Sequence, residues 1–173
     1  DGVTALYEVG CVARLRQVQE HDDGGFDLVT TAEQRFRLLG LEHDRPYLTG
    51  VVELLDEPAG DGEPAPLAAA VRASYDDYLA ALRATGADVD PAELPADSLA
   101  LSYQVAGTVV LDLAHRQALL AQPDTTARLR SELTLLRREA RLIRRRETAD
   151  DLLRSEAFGW LARPADLLTL LLE

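Results

Sequence analysis

Residues 7–55, YEVGCVARLRQVQEHDDGGFDLVTTAEQRFRLLGLEHDRPYLTGVVELL, decide how the rest of the chain is read. Four runs within them favour extended backbone. From Glu8 to Val18 the chain alternates, with Val9, Cys11, Ala13 and Leu15 on one face and Val12, Arg14 and Arg16 on the other. His21-Asp22-Asp23-Gly24-Gly25 offers a turn with two glycines free to take positive φ, and Phe26 to Thr31 is the returning strand. Arg35 to Leu41 and Tyr47 to Leu55 form the next pair. Pro46 lacks an N–H and holds Arg45 extended, which suits a strand start. The connections are too short for parallel crossovers, so the runs predict an antiparallel meander or small barrel.

Residues 56–66, DEPAGDGEPAP, read as a linker whose Pro, Gly and acidic residues exclude helix and ladder alike. After it the period becomes helical. Leu67, Val71, Tyr75, Tyr78 and Leu82 form one stripe, while Arg72, Asp76 and Arg83 face away. Thr85-Gly86 ends this helix, and Pro91 and Pro95 keep the following loop irregular. Asp97 is an N-cap for a helix to about Val110, and Asp112 caps a short one reaching Ala121. Pro123-Asp124-Thr125 opens the longest helix, on which Leu129, Leu133, Leu136, Ala140 and Ile143 share a face. The predicted fold class is α+β, strands first and helices second. It divides into a β subdomain over 1–57, a linker over 58–66 and a helical subdomain over 67–149. A tail over 150–173 holds the only Trp and one or two short helices broken at Pro164.

Composition removes several function classes. All 18 basic residues are arginines, so a Schiff-base lysine, a Ser–Lys dyad and a P-loop lysine are excluded. A net charge of −12 disfavours nonspecific attraction to nucleic acid or anionic membrane. The leucine-rich run Leu167 to Leu172 is too short to span a bilayer, and no signal-peptide pattern is present. Cys11, the single cysteine, has no internal disulfide partner, so a cytoplasmic location is expected. No methionine occurs even at position 1, and Asp1 is read as not the native start.

No catalytic constellation emerges. His21, His43 and His115 show no i,i+4 ligand spacing and read as solvated or structural, so neither metal nor cofactor is expected. Cys11 reads as a small core residue of an apolar strand. The five serines lie in helical or capping contexts without a Gly-x-Ser-x-Gly elbow, and Asp22-Asp23 and Asp76-Asp77 read as a turn and a solvated helix face. Arg130, Arg137, Arg141 and Arg144 gather beside the apolar stripe of the longest helix, with Arg138 and Arg145 adjacent. They form either a solvated face partly neutralised by Glu132 and Glu139, or a basic patch for an acidic partner or RNA. No aromatic residues interleave with them, which counts against single-strand recognition. In the β half Phe36 has the parity of Leu38, and Arg35 and Arg37 share the opposite face. Phe36 and Tyr47 either pack into the core or line a groove for an extended peptide.

Several segments resemble, in order and spacing, the N-terminal substrate-binding domain of Lon proteases. They are Val9-Gly10-Cys11-Val12-Ala13-Arg14, Gln34-Arg35-Phe36-Arg37-Leu38, Pro46-Tyr47-Leu48 and Val51-Val52-Glu53. Leu99 to Ala106, Arg116 to Leu120 and Asp124 to Ile143 extend the likeness, so that it covers Glu8 to Arg146. The resemblance implies a small PUA-like β pseudo-barrel followed by a helical bundle. The family's opening Phe-Pro-Leu strand, Pro-Gly turn and acidic-Pro-Arg-Tyr helix do not precede Asp1, and the last two dozen residues match nothing in the family. In full-length Lon an ATPase and a Ser–Lys protease follow this domain; here there is neither room for them nor any lysine. The implied function is a bacterial, non-enzymatic recognition domain, stand-alone or excised, that captures unfolded or degron-like protein segments. Phe36, Tyr47 and Tyr103 are its candidate peptide contacts. Two alternatives remain open: a nucleic-acid adaptor using the Arg-rich helix, and a scaffold completed by a partner chain that supplies the missing strands.

Overall fold

The structure, a computed structural model, describes residues 6–154. The expectations for 155–173, including a break at Pro164, lie outside the described residues. Strands β1 (Val9–Glu20), β2 (Phe26–Glu42) and β3 (Thr49–Leu54) form an antiparallel sheet in the order β1-β2-β3, open among the described residues. Helices α1 (Pro64–Ala84), α2 (Ser98–Thr108), α3 (Leu113–Leu120) and α4 (Thr125–Arg154) follow, so the architecture is α+β as expected.

The four extended runs become three strands. Phe26–Thr31 and Arg35–Leu41 fuse into one strand of 17 residues, because Ala32-Glu33-Gln34 contains no breaker. The fused strand is irregular where the runs join. Cys11 pairs with Arg35 but Ala13 with Ala32, so Glu33 and Gln34 together oppose Val12 in a β-bulge. A second shift lies between Leu15 and Gln17, and a third between Leu38 and Gly40. Strict alternation therefore does not carry one buried face along β1, and Leu15 and Val18 are exposed. At the β1–β2 turn His21 N donates to Gly25 O at 2.8 Å and Gly24 adopts a φ of 82°.

Helix α1 starts at Pro64, inside the stretch read as non-helical. Proline is tolerated in a first turn, where the missing N–H has no intrahelical acceptor to lose. The helix ends at Thr85, with Gly86 at a φ of 84°. The other caps follow the sequence: Asp97 accepts from Ala100 N at 2.8 Å, Asp112 from His115 N at 2.8 Å, and Asp124 from Ala127 N at 2.7 Å. The carbonyls of Pro58 and Ala59 accept from Thr125 N and Thr126 N, each at 3.0 Å, which ties the segment after β3 to the start of α4.

The apolar core lies in the helical half. Val71, Tyr75, Tyr78 and Leu79 of α1 pack with Leu101 and Val105 of α2 and with Leu129, Leu136 and Ala140 of α4. Leu67, Leu82, Leu133 and Ile143 border it, so both predicted stripes face inward. Among the described residues no helix is long and apolar enough to cross a membrane.

Candidate functional site: an apolar groove and a polar joint

Phe36 and Leu38 project from one face of β2 into a groove of about 460 Å³. Leu48, Val52 and the backbone of Gly50 form one wall; Gly10 of β1 and Gln117 and Leu120 of α3 form the other. The flanking strands are bare of side chains where β2 needs room. A β-carbon at Gly10 would stand 2.7 Å from Phe36 Cε2, and one at Gly50 would stand 2.9 Å from Leu38 Cδ1. Gln117 Nε2 donates to Val9 O at 2.7 Å and seats α3 against the start of β1. Among the described residues the lining contains no acid and no base. These residues can accept apolar side chains and offer no ionised group with which to hold a charged one.

Tyr47 lies beyond the rim, 60% exposed. Arg45 Nη1 donates to its hydroxyl at 3.0 Å, and the guanidinium carbon is 5.9 Å from the ring centroid. Tyr103 is elsewhere, on the far side of β2. The three candidate peptide contacts therefore do not meet in one site: Phe36 floors the groove, Tyr47 stands outside it, and Tyr103 belongs to a joint between sheet and helices.

At that joint Arg35 and Arg37, assigned by alternation to one strand face, part ways. Arg37 remains exposed and pairs with Glu8 at 3.1 Å and Glu53 at 2.9 Å. Arg35 is only 3% exposed. Its Nε donates to Glu57 Oε1 at 2.5 Å and its Nη2 to Glu57 Oε2 at 3.2 Å, while Nη1 donates to the carbonyls of Leu120 at 2.8 Å and Gln122 at 2.6 Å. Tyr103 Oη donates to Glu57 Oε1 at 2.6 Å, and the Arg128 guanidinium lies 4.1 Å from the Tyr103 ring centroid. Arg128, fully buried, donates from Nε to Leu119 O at 3.1 Å and from Nη1 to Ser102 Oγ at 3.2 Å. Burial pushes the Glu57 carboxyl up, but hydrogen bonds from Arg35 and Tyr103 and the charges of Arg35 and Arg128 outweigh it, leaving Glu57 below the ordinary carboxylate value. Burial, followed by the bond to Glu57, raises the Tyr103 phenol. Beside the joint a second cleft, about 520 Å³, opens between Cys11, Ala32 and Arg35 of the sheet and Leu99, Ala100 and Tyr103 of α2. Cys11 is half-buried at its edge, whereas alternation had put it in the core, which lies in the helices.

Sequence reading passed over Arg128 and Glu57, although Arg128 and Glu132 stand at i,i+4 on the edge of the apolar stripe of α4. Glu132 had been read as neutralising the exposed arginines. It is instead 1% exposed, and neither carboxyl oxygen has a hydrogen-bond partner among the described residues. Burial, opposed by the charge of Arg128, pushes it up to about 9. Of the basic strip, Arg130 Nη2 donates to Asp61 O at 3.4 Å and Arg144 pairs with Asp77. Arg137 and Arg141 are exposed. Among the described residues His115 Nδ1 meets Asp112 Oδ1 at 2.7 Å and His21 pairs with Asp27 at 3.0 Å, and no group of three or more potential metal ligands gathers.

Comparison with known proteins gives a consistent result. The family described as ATP-dependent protease La (LON) substrate-binding domain matches residues 1–138. Lon protease 2 of Herpetosiphon aurantiacus is 29% identical over 137 residues, 78% of this chain, and Lon protease 2 of Syntrophobacter fumaroxidans is 27% identical over 126 residues, 72% of this chain. The chain spans only 17% and 16% of the length of these two curated relatives. The crystal structure of a Lon N-terminal domain protein from Xanthomonas campestris superposes with a TM-score of 0.52 at 22% identity, covering 78% of this chain and 70% of the other. The N-terminal domain of a Mycobacterium avium complex Lon protease gives 0.54 at 21%, covering 79% and 73%. At these identities the two structures speak for the fold.

Proposed function

Because the chain belongs to the family of Lon substrate-binding domains, we propose that it is a non-catalytic recognition module that holds unfolded or degron-like protein segments in the groove floored by Phe36 and Leu38. The observation that carries this reading is the groove's lining: mostly apolar, without an acid or base among the described residues, and with glycines on both flanking strands. Such a surface favours apolar side chains presented by a chain that has lost its own core. The outer edge of β3 has no strand partner among the described residues, and an extended segment can add to it by main-chain pairing.

Binding dominated by apolar contact depends weakly on ionic strength. The test is fluorescence anisotropy with a labelled, reduced and alkylated model protein and with an apolar peptide, at low and high salt. Measurable affinity that changes little with salt and weakens in Leu48→Ser supports the reading. Absence of binding, or its collapse at high salt, overturns it. The nucleic-acid alternative rests on the exposed Arg137 and Arg141. It predicts a steep salt dependence of RNA affinity, abolished by reversing both charges.

A further inference from the structure

Two carboxyl groups feel the charge of Arg128, one in near contact and one a helical turn away on the same helix. Glu57, from the segment after β3, has Oε2 3.5 Å from Arg128 Nη2, close enough for charge attraction yet outside hydrogen-bond geometry. Glu132, one helical turn along α4, is the other, and Arg128 is the charge acting on it. Among the described residues Arg128 Nη2 and both Glu132 oxygens are buried polar atoms without a hydrogen bond, a costly condition normally relieved. The remaining wall around Glu132 is aliphatic: Val105 and Ala106 from α2, Leu119 from α3, and Leu135 and Leu136 from its own helix. Among the described residues no other titratable side chain lines that space, whose volume of about 10 Å³ is near the minimum for one water.

We propose that Arg128 is a latch shared between Glu57 and Glu132. With Glu132 protonated, the guanidinium stays on Tyr103 and Glu57 and helps to hold the sheet on the helices. When Glu132 loses its proton to solvent, an unpaired buried carboxylate draws Nη2 across one turn of α4, and the joint at Glu57 loosens.

Cys11 borders the cleft at this joint, and as the chain's single cysteine it reports on the joint's opening. The test follows the rate of Cys11 modification by an aromatic disulfide reagent from pH 7 to 10. Each rate is divided by that of a cysteine peptide at the same pH, which removes the ordinary thiol titration. In the native chain the normalised rate rises severalfold with a midpoint near 9. In Glu132→Gln, and in Glu132→Leu should the buried amide prevent folding, it stays flat. A flat profile in the native chain, or the same rise in the native chain and the variants, overturns the latch.

Discussion

Phe36 lies over Gly10 of the neighbouring strand, its cross-strand partner, so closely that a β-carbon at position 10 would come within 2.7 Å of ring atom Cε2. The glycine is therefore the seat of the groove floor. Gly10→Val should force the ring off β1, cost about 1–3 kcal/mol in urea unfolding, and weaken binding of apolar peptide. Gly40→Ala, where an added β-carbon meets nothing within 4 Å, is the matched control and should leave peptide affinity unchanged.

Arg35 joins segments far apart in the chain, donating to Glu57 and to the carbonyls of Leu120 and Gln122. Arg35→Ala leaves Glu57 with a lost partner and two carbonyls short of a donor, and should destabilise by about 3–5 kcal/mol. Lysine keeps the charge but not the fork, so Arg35→Lys should recover only part of that loss. Chemical denaturation of both variants checks the order.

Glu57 sets an acid limb to stability. Its folded value lies below the ordinary 4.5, so the folded state binds this proton less readily than the unfolded state. The contribution is present above pH 4.5 and is lost as pH falls through the folded value. Glu57→Gln should be less stable at neutral pH and show a flatter fall below pH 4.5 than the native chain. Equal slopes would mean that Glu57 does not govern this limb.

Glu132 acts in the opposite sense. Its folded value is raised from 4.5 to about 9, so its contribution is complete below pH 4.5 and is lost progressively up to about 9. Glu132→Leu removes the unpaired carboxyl from an aliphatic space. It should raise stability at pH 7 by up to about 3 kcal/mol and abolish the decline between pH 5 and 9. Urea unfolding across that range measures both effects.

The α4 arginines should be separable from the fold. Arg137→Glu with Arg141→Glu changes exposed side chains and should shift stability by no more than about 0.5 kcal/mol, with apolar-peptide affinity preserved. A loss of peptide binding in this pair would move the recognition surface from the groove to α4.

Much of the architecture was legible because it is local. The caps at Asp97, Asp112 and Asp124 each satisfy a backbone N–H three residues away, and the stripes of α1 and α4 follow from helical periodicity. Phe36 and Leu38 were assigned one face by alternation, and both line the groove. Legibility failed where a few residues shift the register, as at Glu33-Gln34, and where proline is allowed by its position, as at Pro64. It failed again for charge. Nothing local distinguishes Arg35 from Arg37, two residues apart on one strand face.

Local pattern is enough to set the order of strands and helices, the caps at Asp97, Asp112 and Asp124, the apolar stripes that build the helical core, and the lack of any lysine chemistry. Which charged groups are buried and which apolar side chains stay open depends on contacts between segments far apart in the chain. A buried guanidinium needs acceptors, and those of Arg35 come from residues 22, 85 and 87 positions away. Likewise the groove exists because Gly10, Leu48 and Leu120, contributed by three separate elements and turns, meet around Phe36. Periodicity assigns a residue to a face; what that face meets is set by distant chain, through packing and the need to satisfy every buried polar group.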